Sequence, residues 1–103
     1  RDKMAWQKTV VETRPDTDTE FYVSSSDCQT HIASTYTDTG KSISFAVSLS
    51  SNELKKTRTR VFASEANKNT FVNDEEIVAD RALFIQHCED NECSREATVD
   101  KEI

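Results

Sequence analysis

The clearest pattern of hydrophobic and polar positions lies in the middle of the chain, between residues 41 and 49. Apolar side chains alternate there with serine and alanine, and this period of two predicts a strand with one buried face and one small, polar face. Residues 50–53 have turn composition and residues 54–63 alternate again, so the two runs predict an antiparallel hairpin. The apolar positions of the first run are Ile43, Phe45, Val47 and Leu49.

A helical pattern precedes this hairpin. Ser24 and Asp27 have the spacing of a capping box, which predicts a helix N-terminus at Ser24. Apolar residues then recur at every fourth position, as they do along one face of a helix. Gly40, the single glycine of the chain, is expected to end this helix in a left-handed conformation. The apolar face consists of Cys28, Ile32 and Tyr36.

A second helical region follows the hairpin. Ser64 is expected to cap a short helix, and Asn73 with Glu76 resembles a capping box that starts another. Acidic residues suit that helix N-terminus, and Asn91 is expected to lie at the C-terminal end. Arg81 falls in the apolar stripe, where its stem can pack while its charge reaches solvent. The other members of this stripe are Ile77, Val78, Phe84, Ile85 and Cys88.

The first and last strands of the chain complete the predicted fold. Residues 4–13 are rich in β-branched side chains, and residues 93–100 form a weaker run with Ala97 and Val99 expected to face inward. The order strand, helix, strand, strand, helix, strand predicts an α+β fold of the ferredoxin-like βαββαβ type, a four-stranded antiparallel sheet with the helices on one face. We expect residues 1–103 to form one domain, with residues 1–3 a non-native or disordered extension before Met4.

The sheet face opposite the helices is left without cover in such a fold. We expect this face to pack against a second copy of the chain, because a small domain has a modest core and two-fold dimers are common. The alternative is a hydrated polar face. The residues predicted on it are Ser42, Ser44, Ala46, Ser48, Lys56, Arg58, Arg60 and Phe62.

Charge and hydropathy exclude some partners. The formal net charge of −6 argues against nucleic acid, whose phosphates attract clustered Lys and Arg. No apolar run approaches the ~20 residues of a membrane span, and we expect a cytoplasmic protein with no membrane partner. The one basic cluster, Lys55, Lys56, Arg58 and Arg60, is expected to be a solvated strand whose charges discourage edge pairing, with binding of an anionic ligand or acidic partner as the alternative.

The histidines and cysteines offer further chemistry. Cys28 and His31 lie one helical turn apart, as a proton-transfer pair or half a metal site would, but we favour a buried cysteine beside a helix-edge histidine. Three cysteines favour free thiols in a reducing compartment, with a Cys88–Cys93 disulfide as the alternative. His87 lies beside Cys88, but the Cys-x4-Cys spacing is not that of a common zinc site. We predict no metal and no cofactor.

The hairpin at residues 41–63 and the segment after it carry a family resemblance. The residues FASE at 62–65 and FVNDEE at 71–76, in this order of elements, resemble the dimeric α+β-barrel proteins of the antibiotic biosynthesis monooxygenase-like superfamily. The resemblance covers nearly the whole chain at the level of architecture. It implies a homodimer with a cavity between sheet and helices, and activities that include cofactor-independent monooxygenation and isomerisation, although none of the family's catalytic motifs is present.

A cavity of this kind gives two hypotheses for function. The first is a dimeric domain that binds a small hydrophobic or aromatic ligand between sheet and helices, with no identified catalytic residue. The second is a non-catalytic structural or interaction protein, such as a small bacteriophage virion component. The ligand-binding residues predicted by the first hypothesis are His31, Tyr36, Phe45, Val47, Phe71, Phe84 and Ile85.

Overall fold

A computed structural model of the chain describes residues 5–37 and 41–102, with side chains described up to residue 98. The described elements form an α+β fold with four antiparallel strands in the order β2-β3-β1-β4, which confirms the predicted ferredoxin-like arrangement. In chain order the elements are β1 (Trp6–Thr13), α1 (Ser26–Ile32), a π-helical segment (Ala33–Thr37), β2 (Ser42–Leu49), β3 (Lys55–Phe62), α2 (Glu65–Asn73), α3 (Glu75–Asp90) and β4 (Ser94–Glu102).

The helix caps differ from the predicted ones by single residues. Ser25, not Ser24, caps α1, since its hydroxyl accepts from the Cys28 amide at 3.1 Å. Asp74, not Asn73, caps α3, because Asp74 has the extended backbone of an N-cap and its carboxylate accepts from the first turn of the helix. Ser64 caps α2 as predicted. The predicted stop at Gly40 lies outside the described residues.

The two faces of strand β3 were assigned wrongly from the sequence. Cross-strand partners share a face, and Arg60 lies opposite Phe45 while Arg58 lies opposite Val47. All four side chains therefore point toward the helices, as does Phe62, which is completely buried. Lys56 was predicted on the open face but lies on the same face of β3 as Arg58 and Arg60.

A bulge explains the other error in the hairpin. The register of β2 against β3 shifts between Ser42 and Ser44, which leaves Ile43 without a direct partner and puts Ser42 and Ser44 on opposite faces. Ser42 lies opposite Phe62 and is buried on the helix side, whereas Ser44 and the small residues after it face away. The apolar side chains of β2 are also about half exposed, because β2 is an edge strand of the sheet.

The core between sheet and helices consists of two clusters. In the first, Phe62 from β3 and Phe71 from α2 lie at 5.2 Å between ring centroids, and Phe71 meets the buried Tyr36 ring at 5.0 Å. In the second, Val10 from β1 packs with Phe84 and Cys88 from α3. The helix-facing surface of the sheet thus has an apolar cluster at each end and the arginines of β3 between them.

The end of α3 is set by a backbone motif. Glu92 has a positive φ of 59°, and the amide of Cys93 donates to the Cys88 carbonyl at 2.9 Å, the pairing of a Schellman motif. This turn reverses the chain into β4 and fixes the position of Cys93. The Cys88 and Cys93 thiols are free, as is Cys28.

The positive φ at Glu92 generates a stability prediction. A non-glycine residue in this region carries a steric cost that glycine does not. We expect Glu92→Gly to raise the free energy of unfolding by about 0.5–1 kcal/mol, measured by urea denaturation. The control, Glu89→Gly, lies within the helix and is expected to lower stability by about 1 kcal/mol. Equal losses from both substitutions would contradict the cap.

Candidate functional site

A cavity of about 430 Å³ lies between the helix-facing side of the sheet and the helices. This volume falls in the range of small-molecule sites, roughly 300–1,000 Å³. Phe45 and Val47 line the cavity but are each 49% exposed, so it opens toward the β2 edge of the sheet. Residues from both core clusters contribute to its walls.

The cavity is lined by an unusual number of cations. Six of the thirteen Lys and Arg residues of this acidic chain border it. They come from strands β1, β3 and β4 and from helix α3, and adjacent strands place Arg60 directly opposite Lys8. The six residues are Lys8, Lys56, Arg58, Arg60, Arg81 and Arg95.

Only one of these cations pairs with a carboxylate within the described residues. Arg58 contacts the fully buried Glu12 at 3.1 Å. Arg60 lies instead over two aromatic rings, 4.4 Å from the centroid of Phe45 and 5.2 Å from that of Phe71. The Arg95 guanidinium lies over Phe84 at 5.0 Å, and its buried Nε has no hydrogen-bond partner. Cation–π contacts stabilise a guanidinium without neutralising it.

The electrostatic environment of Lys8 reflects this surplus of positive charge. Burial, followed by the charges of Arg95, Arg81 and Arg60, lowers the pKa of Lys8 to about 8. Burial also lowers the pKa of Arg60, which remains a cation at neutral pH. Burial and neighbouring positive charges disfavour the charged form of Lys8. An anion that enters beside Lys8 stabilises this charged form.

Aromatic side chains form the apolar part of the wall. Tyr22 stacks on Phe84, with ring centroids 4.9 Å apart and an interplanar angle of 19°. The Tyr22 hydroxyl donates to Asp80 at 2.6 Å, and the Ser24 hydroxyl donates to the other oxygen of this carboxylate at 2.8 Å. Asp80, which is the one carboxylate of the described lining, is thus already bound by two hydroxyl groups.

The structure brings together four of the seven predicted ligand-binding residues. Phe45, Val47, Phe71 and Phe84 line the cavity, whereas His31, Tyr36 and Ile85 do not. Ile85 is 44% exposed on α3, because its position in the stripe turns it away from the sheet. Tyr36 is completely buried in the first core cluster, and His31 contacts Asp74.

His31, Tyr36 and Asp74 form a separate polar network. The Asp74 carboxylate accepts from the Tyr36 hydroxyl at 2.6 Å and lies 2.8 Å from Nε2 of His31. Despite the opposing effect of burial, hydrogen bonds from Tyr36 and His31 bring the pKa of Asp74 down to about 2, and the bond to Asp74 raises the pKa of His31. Because this network caps α3 and joins it to α1, its role in this structure is to hold the helices together.

Two other sequence candidates lack the properties of a reactive site. Burial, then the charges of Asp80, Glu76 and Asp74, raises the pKa of Cys28 to about 11, so its thiolate is scarcely populated at neutral pH. The Cys28–His31 pair is not formed, because His31 is turned toward Asp74.

Sequence reasoning missed most of the cations in the cavity. Lys8 lies in the first strand, where alternation alone does not reveal which face is covered. Arg95 shares the alternation of Ala97 and Val99, which were predicted to face inward. The sequence put Arg81 in the apolar stripe of α3. That position was the available signal for a cation in the cavity, because residues of this stripe pack against the sheet. The prediction of a solvated basic strand is wrong for Arg58 and Arg60, which line the cavity.

No family model and no curated protein matches this sequence. A crystal structure described as that of a conserved protein from Methanosarcina mazei Go1 is similar, with a TM-score of 0.53 and 13% sequence identity over 97% of this chain and 96% of that chain. This likeness supports the α+β fold alone. Membership of the monooxygenase-like superfamily remains a prediction. Among the described residues, no helix is both long and apolar enough to cross a bilayer.

The Asp74 network generates a pH prediction. Because its pKa is lowered to about 2 in the folded protein, Asp74 contributes stability at pH values above its unfolded pKa of about 4. We expect the thermal unfolding midpoint to fall as the pH drops from about 4 to 2. Asp74→Asn should reduce this dependence, with Asp27→Asn on the exposed start of α1 as the control. An unchanged pH profile in Asp74→Asn would contradict the assignment.

Proposed function

We propose that this domain binds a small amphiphilic anion, a carboxylate, sulfonate or phosphate ester with an aromatic or apolar body, in the cavity between the sheet and the helices. The observation that carries this proposal is the convergence of six Lys and Arg side chains on a cavity whose described lining contains one carboxylate. It refines the sequence hypothesis of a purely hydrophobic ligand.

The anionic group of the ligand is argued from the energetics of burial. Removing a charge from water is costly unless the charge is paired and hydrogen-bonded. Lys8 is only 9% exposed and has no carboxylate partner among the described residues. A bound anion between Lys8 and Arg60 supplies the missing partner, and the planar guanidinium suits the two oxygens of a carboxylate or phosphate.

The apolar body of the ligand is argued from the aromatic side chains that line the cavity. Phe45 and Phe71 flank Arg60, while Tyr22 and Phe84 form a stacked pair on the α3 side. Aromatic side chains favour flat, apolar partners and contribute area that an inorganic ion would leave uncovered. The half-exposed Phe45 and Val47 at the β2 edge mark the side from which such a ligand enters.

The proposal is one of binding, without a reaction. The described lining contains no histidine or cysteine, and its single carboxylate is bound by Tyr22 and Ser24. Monooxygenase or isomerase activity, implied by the family resemblance, therefore has no supporting arrangement of groups in this cavity.

Homodimerisation belongs to the same proposal, through the sheet face opposite the helices. The corrected register gives this face small, mostly β-branched side chains, and the central positions of β1, β2 and β3 carry no charge. A face of four strands about 4.8 Å apart and eight residues long at about 3.3 Å each covers roughly 500 Å², or about 1,000 Å² for two copies, near the lower limit for a specific interface. Its central residues are Thr9, Val11, Ala46, Thr57, Thr59 and Val61.

The anion proposal is tested with two fluorescent probes that differ in one group. 8-Anilinonaphthalene-1-sulfonate carries an anionic sulfonate, and N-phenyl-1-naphthylamine has the same rings without it. We expect one site per chain that binds the sulfonate more tightly. Arg60→Gln should weaken sulfonate binding by about tenfold or more, because it removes a hydrogen bond to a charged group. The affinity for the neutral probe should be nearly unchanged.

The control is Lys55→Gln, which removes one positive charge from an exposed position of the same strand outside the cavity. Near-ultraviolet circular dichroism verifies that each variant keeps its tertiary packing. Sulfonate affinity should also fall as the pH rises through about 8, because Lys8 loses its proton in the empty cavity, and Lys8→Met should remove this dependence. Equal affinity for both probes, or equal loss in Arg60→Gln and Lys55→Gln, contradicts the proposal.

The dimer proposal is tested by sedimentation equilibrium over a dilution series. The wild-type chain is expected to have a mass near twice 11.7 kDa. Thr59→Arg places a charge at the centre of the open face and should give the monomer, because the two charges would face each other across the interface. Thr30→Arg, on the exposed side of α1, is the matched control and should remain dimeric. A monomeric wild type at every concentration contradicts the dimer and leaves the cavity proposal untouched.

A further inference from the structure

Glu12, His87 and Cys93 converge at one end of the sheet, outside the cavity lining. Each offers one ligand atom, a carboxylate oxygen, an imidazole nitrogen and a thiol sulfur, and these three atoms lie within 4.8 Å of one another. They come from β1, from α3 and from the residue that precedes β4. His87 and Cys93 are six residues apart in the chain, and the tertiary fold brings Glu12 to them.

We propose that Glu12, His87 and Cys93 form a binding site for a thiophilic divalent cation, with Zn²⁺ the best match in ligand chemistry. Thiolate, imidazole and carboxylate are the ligands that Zn²⁺ takes in proteins, and three protein ligands leave a fourth position for water or another donor. The site is independent of the ligand proposed for the cavity.

The positions of the three groups are held by surrounding structure. One oxygen of the Glu12 carboxylate contacts Arg58, while the other, Oε2, lies 3.9 Å from Nε2 of His87. The Tyr22 amide donates to the same Oε2 at 3.1 Å, and the Tyr22 ring meets the His87 ring edge-on at 5.7 Å. Cys93 is fixed by the Schellman turn at the end of α3. Such outer contacts orient metal ligands.

The geometry requires a modest contraction on metal binding. Bonds of about 2.0–2.3 Å place tetrahedral ligand atoms roughly 3.3–3.7 Å apart, so the three atoms must approach by up to about 1 Å. His87 now hydrogen-bonds the Glu20 carbonyl through Nε2 at 2.8 Å. Binding transfers the imidazole proton to Nδ1 and releases the thiol proton of Cys93 to solvent, and the Glu20 carbonyl oxygen is then a candidate fourth ligand.

The test is titration of the reduced chain with Co²⁺, which reports thiolate coordination by a charge-transfer absorption band. We expect one Co²⁺ per chain, displaced by Zn²⁺. Cys93→Ser should abolish the band, and His87→Gln should weaken binding by at least the roughly 10–100-fold that loss of an outer-shell partner costs. Glu12→Gln is less suitable as a test of the metal site, because it leaves the buried Arg58 unpaired and is expected to destabilise the fold.

The matched control is Cys88→Ser, which removes the neighbouring buried thiol and should leave the band and the affinity unchanged. Circular dichroism of each variant without metal separates loss of a ligand from loss of the fold. Absence of a thiolate band in the wild type overturns the proposal. A band that survives Cys93→Ser but disappears in Cys88→Ser overturns the assignment of Cys93.

Discussion

The buried ion pair between Glu12 and Arg58 is the interaction on which the rest of the structure depends. Glu12 is completely inaccessible to solvent, and its carboxylate joins β1 to Arg58 of β3 and to the amide of Tyr22. Arg58 in turn donates to the Tyr22 carbonyl at 2.8 Å. Removing one partner of such a pair commonly costs about 3–5 kcal/mol, because the other charge is left buried and uncompensated.

This pair also sets the position of the loop between β1 and α1. With its backbone held at Tyr22, the loop places the Tyr22 ring on Phe84 and its hydroxyl on Asp80. Asp80 is thereby bound by protein hydroxyls and, within the described residues, forms no ion pair with the cations that line the cavity. The ion pair and the loop therefore account both for a wall of the cavity and for its unbalanced charge.

The two proposed sites meet at the same carboxylate. Arg58 lines the cavity and binds one oxygen of Glu12, whereas the other oxygen faces His87. A fold this small has few buried charges, and here they are concentrated along the helix-facing side of three strands. The central positions of β1, β2 and β3 on the opposite face carry no charge, since the charged residues of β3 alternate there with threonines that point away from them.

The sequence by itself determined the elements and the fold class. The alternation in residues 41–63, the cap at Ser64 and the recapping near residue 74 depend on neighbours within a few positions of the chain, so local patterns were sufficient to predict them. For the same reason, four aromatic and aliphatic residues of the cavity, among them Phe45 and Phe84, were predicted from their apolar stripes.

Only the tertiary structure decided which face of each strand is covered and which charges meet. A period of two does not distinguish the faces of a strand such as β3, whose covered side carries Arg58 and Arg60, and the bulge at Ile43 put Ser42 on the covered side of β2. Lys8 meets Arg81 and Arg95 from the other end of the chain, and Glu12 meets His87 and Cys93 in the same way. Strand register and helix packing create these groupings, and neither is encoded in the spacing of residues along one element.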